Sequence, residues 1–324
     1  MSKSLLLISQ RPEDQAFAQQ VAITAGLTLQ TVSNPKEGAE ILVNEGATVI
    51  FADTSSEEHY HALENAIQSS IGLFSEKINA NTTHFISSDD LERVPYLIQS
   101  PLFGNFIVRN YGDPKEAGQH YGKIVKASIQ ERAFGPKFLL KEGTKIQTVK
   151  FQVSTQKQDG VEAIKNFLLA AKFQSRMATT IANAVDELLM NAIFDAPVDE
   201  LGKQVLATTS RSTKIDLQDQ HAVEMHVGFD GRYAAITAVD LFGSLDKARL
   251  LNFISKIYVE EEYKVRTSIA GAGIGLGTVF RSGGSLFFVS ESRVRTEVTV
   301  FFMRTSNFRE FRDQFRFMST QFYF

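Results

Sequence analysis

The sequence of 324 residues contains no cysteine, no tryptophan and no long apolar run. The absence of cysteine excludes disulfide bonds, thiolate metal sites and cysteine nucleophiles. No apolar stretch approaches the roughly 20 residues that a membrane-spanning helix needs. Residues 1–14 turn polar too soon to form a signal peptide. We therefore expect a cytoplasmic protein without a membrane segment.

A basic excess is also missing, because 34 lysines and arginines stand against 37 aspartates and glutamates, with a formal net charge of -3. A protein that binds nucleic acid usually carries a basic surface, so this balance disfavours such a partner. The length suggests about two domains. We expect residues 1–127 to form the first domain and residues 146–324 the second. Residues 128–145, rich in glycine, lysine and turn formers, form the predicted linker.

The first half of the chain alternates between strand and helix patterns. Short apolar runs such as "KSLLLIS", "ATVIFAD" and "NFIVRN" indicate strands, and "PEDQAFAQQVAITAG" and "PKEAGQHYGKIVKASIQ" indicate helices. Alternation of this kind predicts an α/β domain with a flavodoxin-like, doubly wound parallel sheet, whose strand ends carry any site.

This order, together with Asp53 at the end of the third strand, resembles a response-regulator receiver domain. In that family two acidic residues after the first strand hold Mg²⁺, but Ser9 and Gln10 stand there. Arg109 is the nearest candidate for the family's lysine. The resemblance therefore implies a degenerate receiver that docks a partner protein without being phosphorylated. In the alternative interpretation Asp53 only opens a turn.

In the second half, "ANAVDELLMNAIFDAP" has the spacing of an amphipathic helix that Pro197 ends close to Asp195. Glu187 and Asn191 lie four residues apart and share a polar face. On its own this pattern is typical of many surface helices. The apolar stripe consists of Ile181, Val185, Leu188, Ala192 and Ile193.

Two further segments add to this pattern. The strand-like "YAAITAVD" ends on Asp240, and "GAGIGLG" opens a predicted helix, where glycines let backbone amides approach a phosphate. The glycine spacing fits neither a dinucleotide fingerprint nor a Walker-type loop.

The order of an E-x-x-x-N helix, an aspartate-glycine turn, a lid, a G-x-G-x-G turn and a final "GG" turn resembles the ATP-binding fold of histidine kinases, gyrase, MutL and heat-shock chaperones. It covers roughly residues 146–304, and "ELLMNAI" is most similar to bacterial anti-sigma serine kinases. The resemblance implies a two-layer α/β sandwich that binds ATP and Mg²⁺. It implies that Asn191 binds Mg²⁺, that Glu187 acts as general base, that Asp240 accepts a hydrogen bond from adenine, and that Gly243, Gly271, Gly273, Gly275 and Thr296 contact the nucleotide.

The chain departs from this family at Phe242 and Ser244, where glycines are expected, and at Asp195, where relatives often carry His or Lys. None of the six histidines lies in a dimerisation helix before the domain, which excludes a histidine autokinase. Two hypotheses remain. The protein is an ATP-dependent serine/threonine protein kinase of anti-sigma type, or a weak ATPase, acting on a substrate protein. Alternatively it is an inactive, nucleotide-gated or nucleotide-free scaffold for a regulatory partner or for a homodimer.

The C-terminal segment is rich in phenylalanine. Phe308, Phe311 and Phe315 recur at helical spacing, which predicts a helix face packed on its own domain. The alternative is a docking or self-association surface.

Overall fold

The structure, a computed structural model, describes residues 3–71, 78–258 and 274–324. The fold is mixed α/β and divides into two compact units. The first unit extends to Ala133 and includes Phe315–Thr320, whereas the second comprises Phe134–Gln314 and Gln321–Phe324. The residues predicted to form a linker are thus shared between the two units.

Strands and helices follow one another along the described chain. The strands are β1 (Ser4–Ile8), β2 (Thr28–Val32), β3 (Val49–Asp53), β4 (Thr83–Ser87), β5 (Asn105–Val108), β6 (Ile146–Phe151), β7 (Val223–Phe229), β8 (Tyr233–Asp240), β9 (Ser285–Glu291), β10 (Arg295–Met303) and β11 (Phe317–Tyr323). The helices are α1 (Pro12–Ala25), α2 (Pro35–Asn44), α3 (Glu57–Ile71), α4 (Pro95–Ile98), α5 (Pro114–Gln130), α6 (Lys157–Ala170), α7 (Ser175–Met190), α8 (Lys247–Tyr258), α9 (Ile274–Arg281) and α10 (Phe308–Arg312). None of the described helices is long and apolar enough to cross a bilayer.

In the first unit, parallel strands lie in the order β2-β1-β3-β4-β5. From β1 the chain adds β2 on one side and β3 and the later strands on the other. The carboxyl ends of β1 and β3 therefore border a crevice of the kind in which α/β proteins place their sites. Strands β1 and β5 are buried along their whole length, as expected for strands with helices on both faces. The core contains the fully buried rings of Phe17, Phe51 and Tyr121.

In the second unit, antiparallel strands lie in the order β9-β10-β8-β7-β6. Helices α6 and α7 pack against each other, and α7 also contacts β8 and β10. All members of the predicted apolar stripe, which runs from α7 into residues 192 and 193, are buried. This packing places the polar end of α7 beside the end of β8.

The prediction of a continuous helical face in the C-terminal segment is wrong. Helix α10 ends at Arg312, and the chain continues as β11, whose residues Phe317–Ser319 pair antiparallel to β5. Phe315 lies between the two elements and packs against Phe17 and Tyr121. The pairing and burial of an added strand, whose first five residues are all buried, therefore override the helical spacing of the three rings.

Candidate functional site

The end of α7 carries an irregular turn. Residues Asn191–Asp195 form one π-helical turn, in which the Ala196 N–H donates a hydrogen bond over 2.8 Å to the Asn191 carbonyl. The turn buries Ala192, Ile193 and Phe194 and leaves Asn191 half-buried. Single π turns within helices often accompany functional sites, because the extra residue reorients the neighbouring side chains.

Asp240 ends β8 and is almost completely buried, at 6% exposure. Its Oδ1 accepts a hydrogen bond over 2.9 Å from the Phe242 N–H. Burial raises the pKa of Asp240 to about 7, although the backbone N–H groups of Phe242 and Gly243 oppose this shift. Asp240 lies opposite Thr296 in the β8–β10 register, so the two side chains share a face of the sheet.

A cavity of about 390 Å³ lies between the end of α7 and this face of the sheet. Asn191, Asp240 and Thr296 all line it, although they come from three separate segments of the chain. The other lining residues are Leu188, Ala192, Asp195, Ala196, Gln204, Ala238, Ser244, Leu245, Arg249, Leu250, Asn252, Phe288 and Val298. Polar groups therefore converge in a pocket with mainly apolar walls, which is typical of small-molecule sites.

The loop after β8 depends on a glycine. Gly243 has a φ of +55°, and a Cβ built on it would lie 2.1 Å from the Glu291 carbonyl oxygen. Its own carbonyl accepts a hydrogen bond from the Arg293 N–H over 3.2 Å. A left-handed backbone and this close approach admit only glycine. Gly243 thus holds the loop that follows Asp240 against the β9–β10 turn.

Phe242 and Ser244, which replace expected glycines, have structural contacts of their own. The Phe242 ring lies 5.5 Å from the His221 ring, centroid to centroid. The Ser244 hydroxyl donates to the Ala196 carbonyl over 2.7 Å. The second contact joins the β8 loop to the residue that follows the π turn, and both of these residues line the cavity.

Two predicted residues in the described part of the chain, Glu187 and Gly243, do not line the cavity. Glu187, half-buried in α7, is not among the described residues that line it. Gly275 is the second residue of α9. Gly271 and Gly273 lie outside the described residues.

Two further charged residues, Asp195 and Arg249, line the cavity. Asp195 pairs with Arg211 over 2.9 Å, and the Arg249 guanidinium donates to the Ser244 carbonyl over 2.9 Å. Local sequence carries no signal for the first pair, because its members lie 16 positions apart, Asp195 in the π turn and Arg211 in a loop. Arg249 is the third residue of α8, and its N–H donates to the side chain of Asp246, which caps the helix. Its only signal in the sequence was its position near the predicted lid.

A second polar cluster lies in the first unit, where the strands β3 and β5 end. The Arg109 guanidinium donates to Asp14 over 2.8 and 2.9 Å and forms an ion pair with Asp53 over 2.7 Å. Asp14 is fully buried, and it also accepts hydrogen bonds from the hydroxyls of Ser9 and Tyr111. The resemblance to receivers did not single out Asp14. Its acidic side chain in the first turn of α1, shortly after β1, is the sequence feature that could have identified it.

Asp53 is surrounded by donors. Its Oδ1 accepts from the Ser55 N–H over 3.1 Å and from the Ser55 hydroxyl over 2.6 Å, and its Oδ2 accepts from Arg11 over 3.2 Å. Burial raises the pKa of Asp53, but the hydrogen bonds from Ser55 and Arg109 outweigh burial and hold it below its ordinary value. Two arginines therefore balance the charges of Asp14 and Asp53 without a metal ion.

No family model matches the chain, and no curated protein matches it. One solved structure that is similar to it is the crystal structure of the SiaB-SiaC complex from Pseudomonas aeruginosa. That match covers 47% of this chain and 88% of the other, with 16% identity and a TM-score of 0.29. A TM-score of this size carries no functional conclusion.

Proposed function

We propose that the second unit binds ATP with Mg²⁺ in the cavity, and that the protein is a signal-transduction regulator acting through a partner protein. The observation that carries the proposal is the meeting of Asn191, Asp240 and Thr296 in one pocket. These are the residues to which the resemblance assigns metal binding, adenine recognition and nucleotide contact. A volume of about 390 Å³ lies in the usual range for small-ligand pockets.

The buried end of the cavity suits a purine ring. Asp240 offers a carboxyl oxygen to an exocyclic amino group, and Ala238, Phe288 and Val298 supply apolar walls. A buried acceptor that loses its partner is costly, so such a carboxyl discriminates in favour of bases that carry a donor. This chemistry favours adenine, which carries an exocyclic amino group, over purines that carry a carbonyl oxygen in place of that group.

The metal would be held mainly by the nucleotide. The amide oxygen of Asn191 is a suitable hard ligand, but the described residues contain no group of three or more His, Asp or Glu side chains arranged for a metal. Mg²⁺ usually keeps phosphate and water ligands beside one or two protein ligands. When bound, the ion would supply neutralisation of phosphate charge. We therefore expect Mg²⁺ binding only together with ATP.

For the first unit we propose a flavodoxin-like, receiver-like domain that docks a partner without phosphorylation. The strand order β2-β1-β3-β4-β5 supports this fold assignment. The Arg109 ion pairs support the loss of phosphorylation, because this guanidinium already neutralises the carboxylates of Asp14 and Asp53. A charge-balanced cluster has no need of a metal.

Binding without turnover is the mode that the cavity favours. Asn191 lines it, whereas Glu187, the candidate general base one turn earlier in α7, does not. A general base must lie within hydrogen-bond reach of the proton it removes. A serine/threonine kinase of anti-sigma type would require Glu187 to approach the nucleotide.

Calorimetric titration with ATP and ADP, with and without Mg²⁺, tests the proposal. We expect micromolar, Mg²⁺-dependent ATP binding that Asp240→Asn weakens at least about tenfold, since one recognition hydrogen bond in a buried site is worth about 1.4 kcal/mol or more. Asp159→Asn, at an exposed position of the same unit, is the matched control. Equal ATP affinity in the parent and in Asp240→Asn would refute the pocket assignment.

A further inference from the structure

Asp195 places a carboxylate on the wall of the cavity, in the same π turn as Asn191. An unbalanced negative charge at this position would repel a polyphosphate, because charges in a partly desolvated pocket interact far more strongly than in water. The charge of the cavity therefore depends on what compensates Asp195.

Arg211 provides that compensation from a distant loop. Its Nη2 donates to Asp195 Oδ1 over 2.9 Å, and its guanidinium lies 4.9 Å from the centre of the buried Phe194 ring. Nη1 is buried and makes no hydrogen bond with the described residues. Within the described residues the guanidinium thus pairs with one carboxylate, that of Asp195.

The loop that carries Arg211 is held in place by hydrogen bonds. The Thr213 N–H donates to the Ser210 carbonyl over 2.9 Å, which closes a turn around Arg211. The Ser154 hydroxyl donates to the Thr213 carbonyl over 3.0 Å and accepts from the Ile215 N–H over 2.9 Å. A fixed loop lowers the entropy cost of the ion pair, so Arg211 meets Asp195 in a preorganised position.

We propose that Arg211 is a specificity-determining positioning residue, which neutralises Asp195 so that the cavity accepts the phosphate end of a nucleotide. With this pair neutral, Arg249 contributes a positive charge to the cavity wall. The inference rests on the proposed function, and it adds that selection for phosphate over uncharged nucleoside depends on a long-range ion pair.

The test compares ATP and adenosine by calorimetry in the parent, Arg211→Gln, Asp195→Asn and the double variant. Arg211→Gln should weaken ATP binding by about tenfold, since truncating one partner leaves a carboxylate uncompensated. Adenosine binding should stay within about twofold, because a neutral ligand does not sense that charge. The double variant should recover most of the ATP affinity. If the loss of Arg211 only disturbed the structure, the added Asp195→Asn substitution would not restore ATP binding.

The control is Arg176→Gln, which removes an exposed arginine stacked 3.8 Å from the Phe308 ring. It reports the effect of losing an arginine–aromatic contact.

Each outcome separates the two proposals. If the parent binds ATP but Arg211→Gln weakens ATP and adenosine equally, or if Asp195→Asn fails to restore ATP binding, the charge inference is wrong and the nucleotide site stands. If the parent binds neither ATP nor adenosine, the proposed function is wrong and this inference fails with it. Thermal unfolding of each variant shows whether it folds like the parent.

Discussion

Arg109 and Asp14 form a bidentate ion pair in the first unit. Nε and Nη2 of the guanidinium lie 2.8 and 2.9 Å from the two carboxylate oxygens. Both side chains are almost completely removed from water, at 3% and 0% exposure. They lie 95 positions apart in the chain, so the pair connects the first turn of α1 to the end of β5. Breaking such a pair leaves a buried charge without a partner.

Arg109→Gln should therefore destabilise the protein by about 3–5 kcal/mol, measured by equilibrium unfolding in urea. The control is Arg93→Gln, because Arg93 pairs with Asp89 on the surface at 77% exposure. Loss of an exposed pair of this kind costs less than about 1 kcal/mol. Similar small losses in both variants would contradict the importance of the buried pair.

Asp53 should not become phosphorylated. Its two oxygens accept hydrogen bonds from Ser55, Arg109 and Arg11, and Ser9 and Gln10 stand where receivers carry the acidic residues that bind the metal. Intact-mass measurement after incubation with acetyl phosphate and Mg²⁺ should show no added phosphoryl group. A mass increase that disappears in Asp53→Asn would overturn this prediction.

Asp240 should impose a pH dependence on stability. Because its pKa is raised from 3.8 to about 7 in the folded protein, the contribution of the protonated carboxyl is present below about pH 4 and is lost as the pH rises through about 7. A shift of this size corresponds to about 4 kcal/mol across that window. The free energy of unfolding of the parent should fall relative to that of Asp240→Asn between these pH values. Parallel profiles for the two proteins would show that Asp240 titrates normally.

The C-terminal strand should be needed for the first unit to be stable. Phe317 is fully buried against Tyr121, with ring centroids 5.0 Å apart, whereas Phe324 is 98% exposed. Phe317→Ala should cost about 3–5 kcal/mol through the lost burial and the cavity left behind. Phe324→Ala, the matched control, should change stability by less than about 0.5 kcal/mol. Denaturant unfolding curves would distinguish the two, and an unchanged midpoint for Phe317→Ala would contradict the packing.

The candidate cavity could be anticipated only in part. The resemblance to the ATP-binding fold singled out Asn191, Asp240 and Thr296, and the structure brings these residues to one cavity. The cavity walls also include Gln204, which lies in a loop without a distinctive sequence pattern. Whether a loop residue lies in a site depends on the three-dimensional path of the chain, which the periodicity of the sequence does not predict.

The sequence by itself determined the alternation of strands and helices in the first half, the apolar stripe of α7 and the aspartate that ends β8. These follow from local backbone preference and from which faces must be buried, both of which are encoded within a few neighbouring residues. Only the tertiary structure decided that Arg109 meets Asp14, that Arg211 meets Asp195, and that Phe315–Thr320 joins the first unit. Such contacts form between residues far apart in the chain, because the order of strands and the closure of loops select partners that no local pattern can specify.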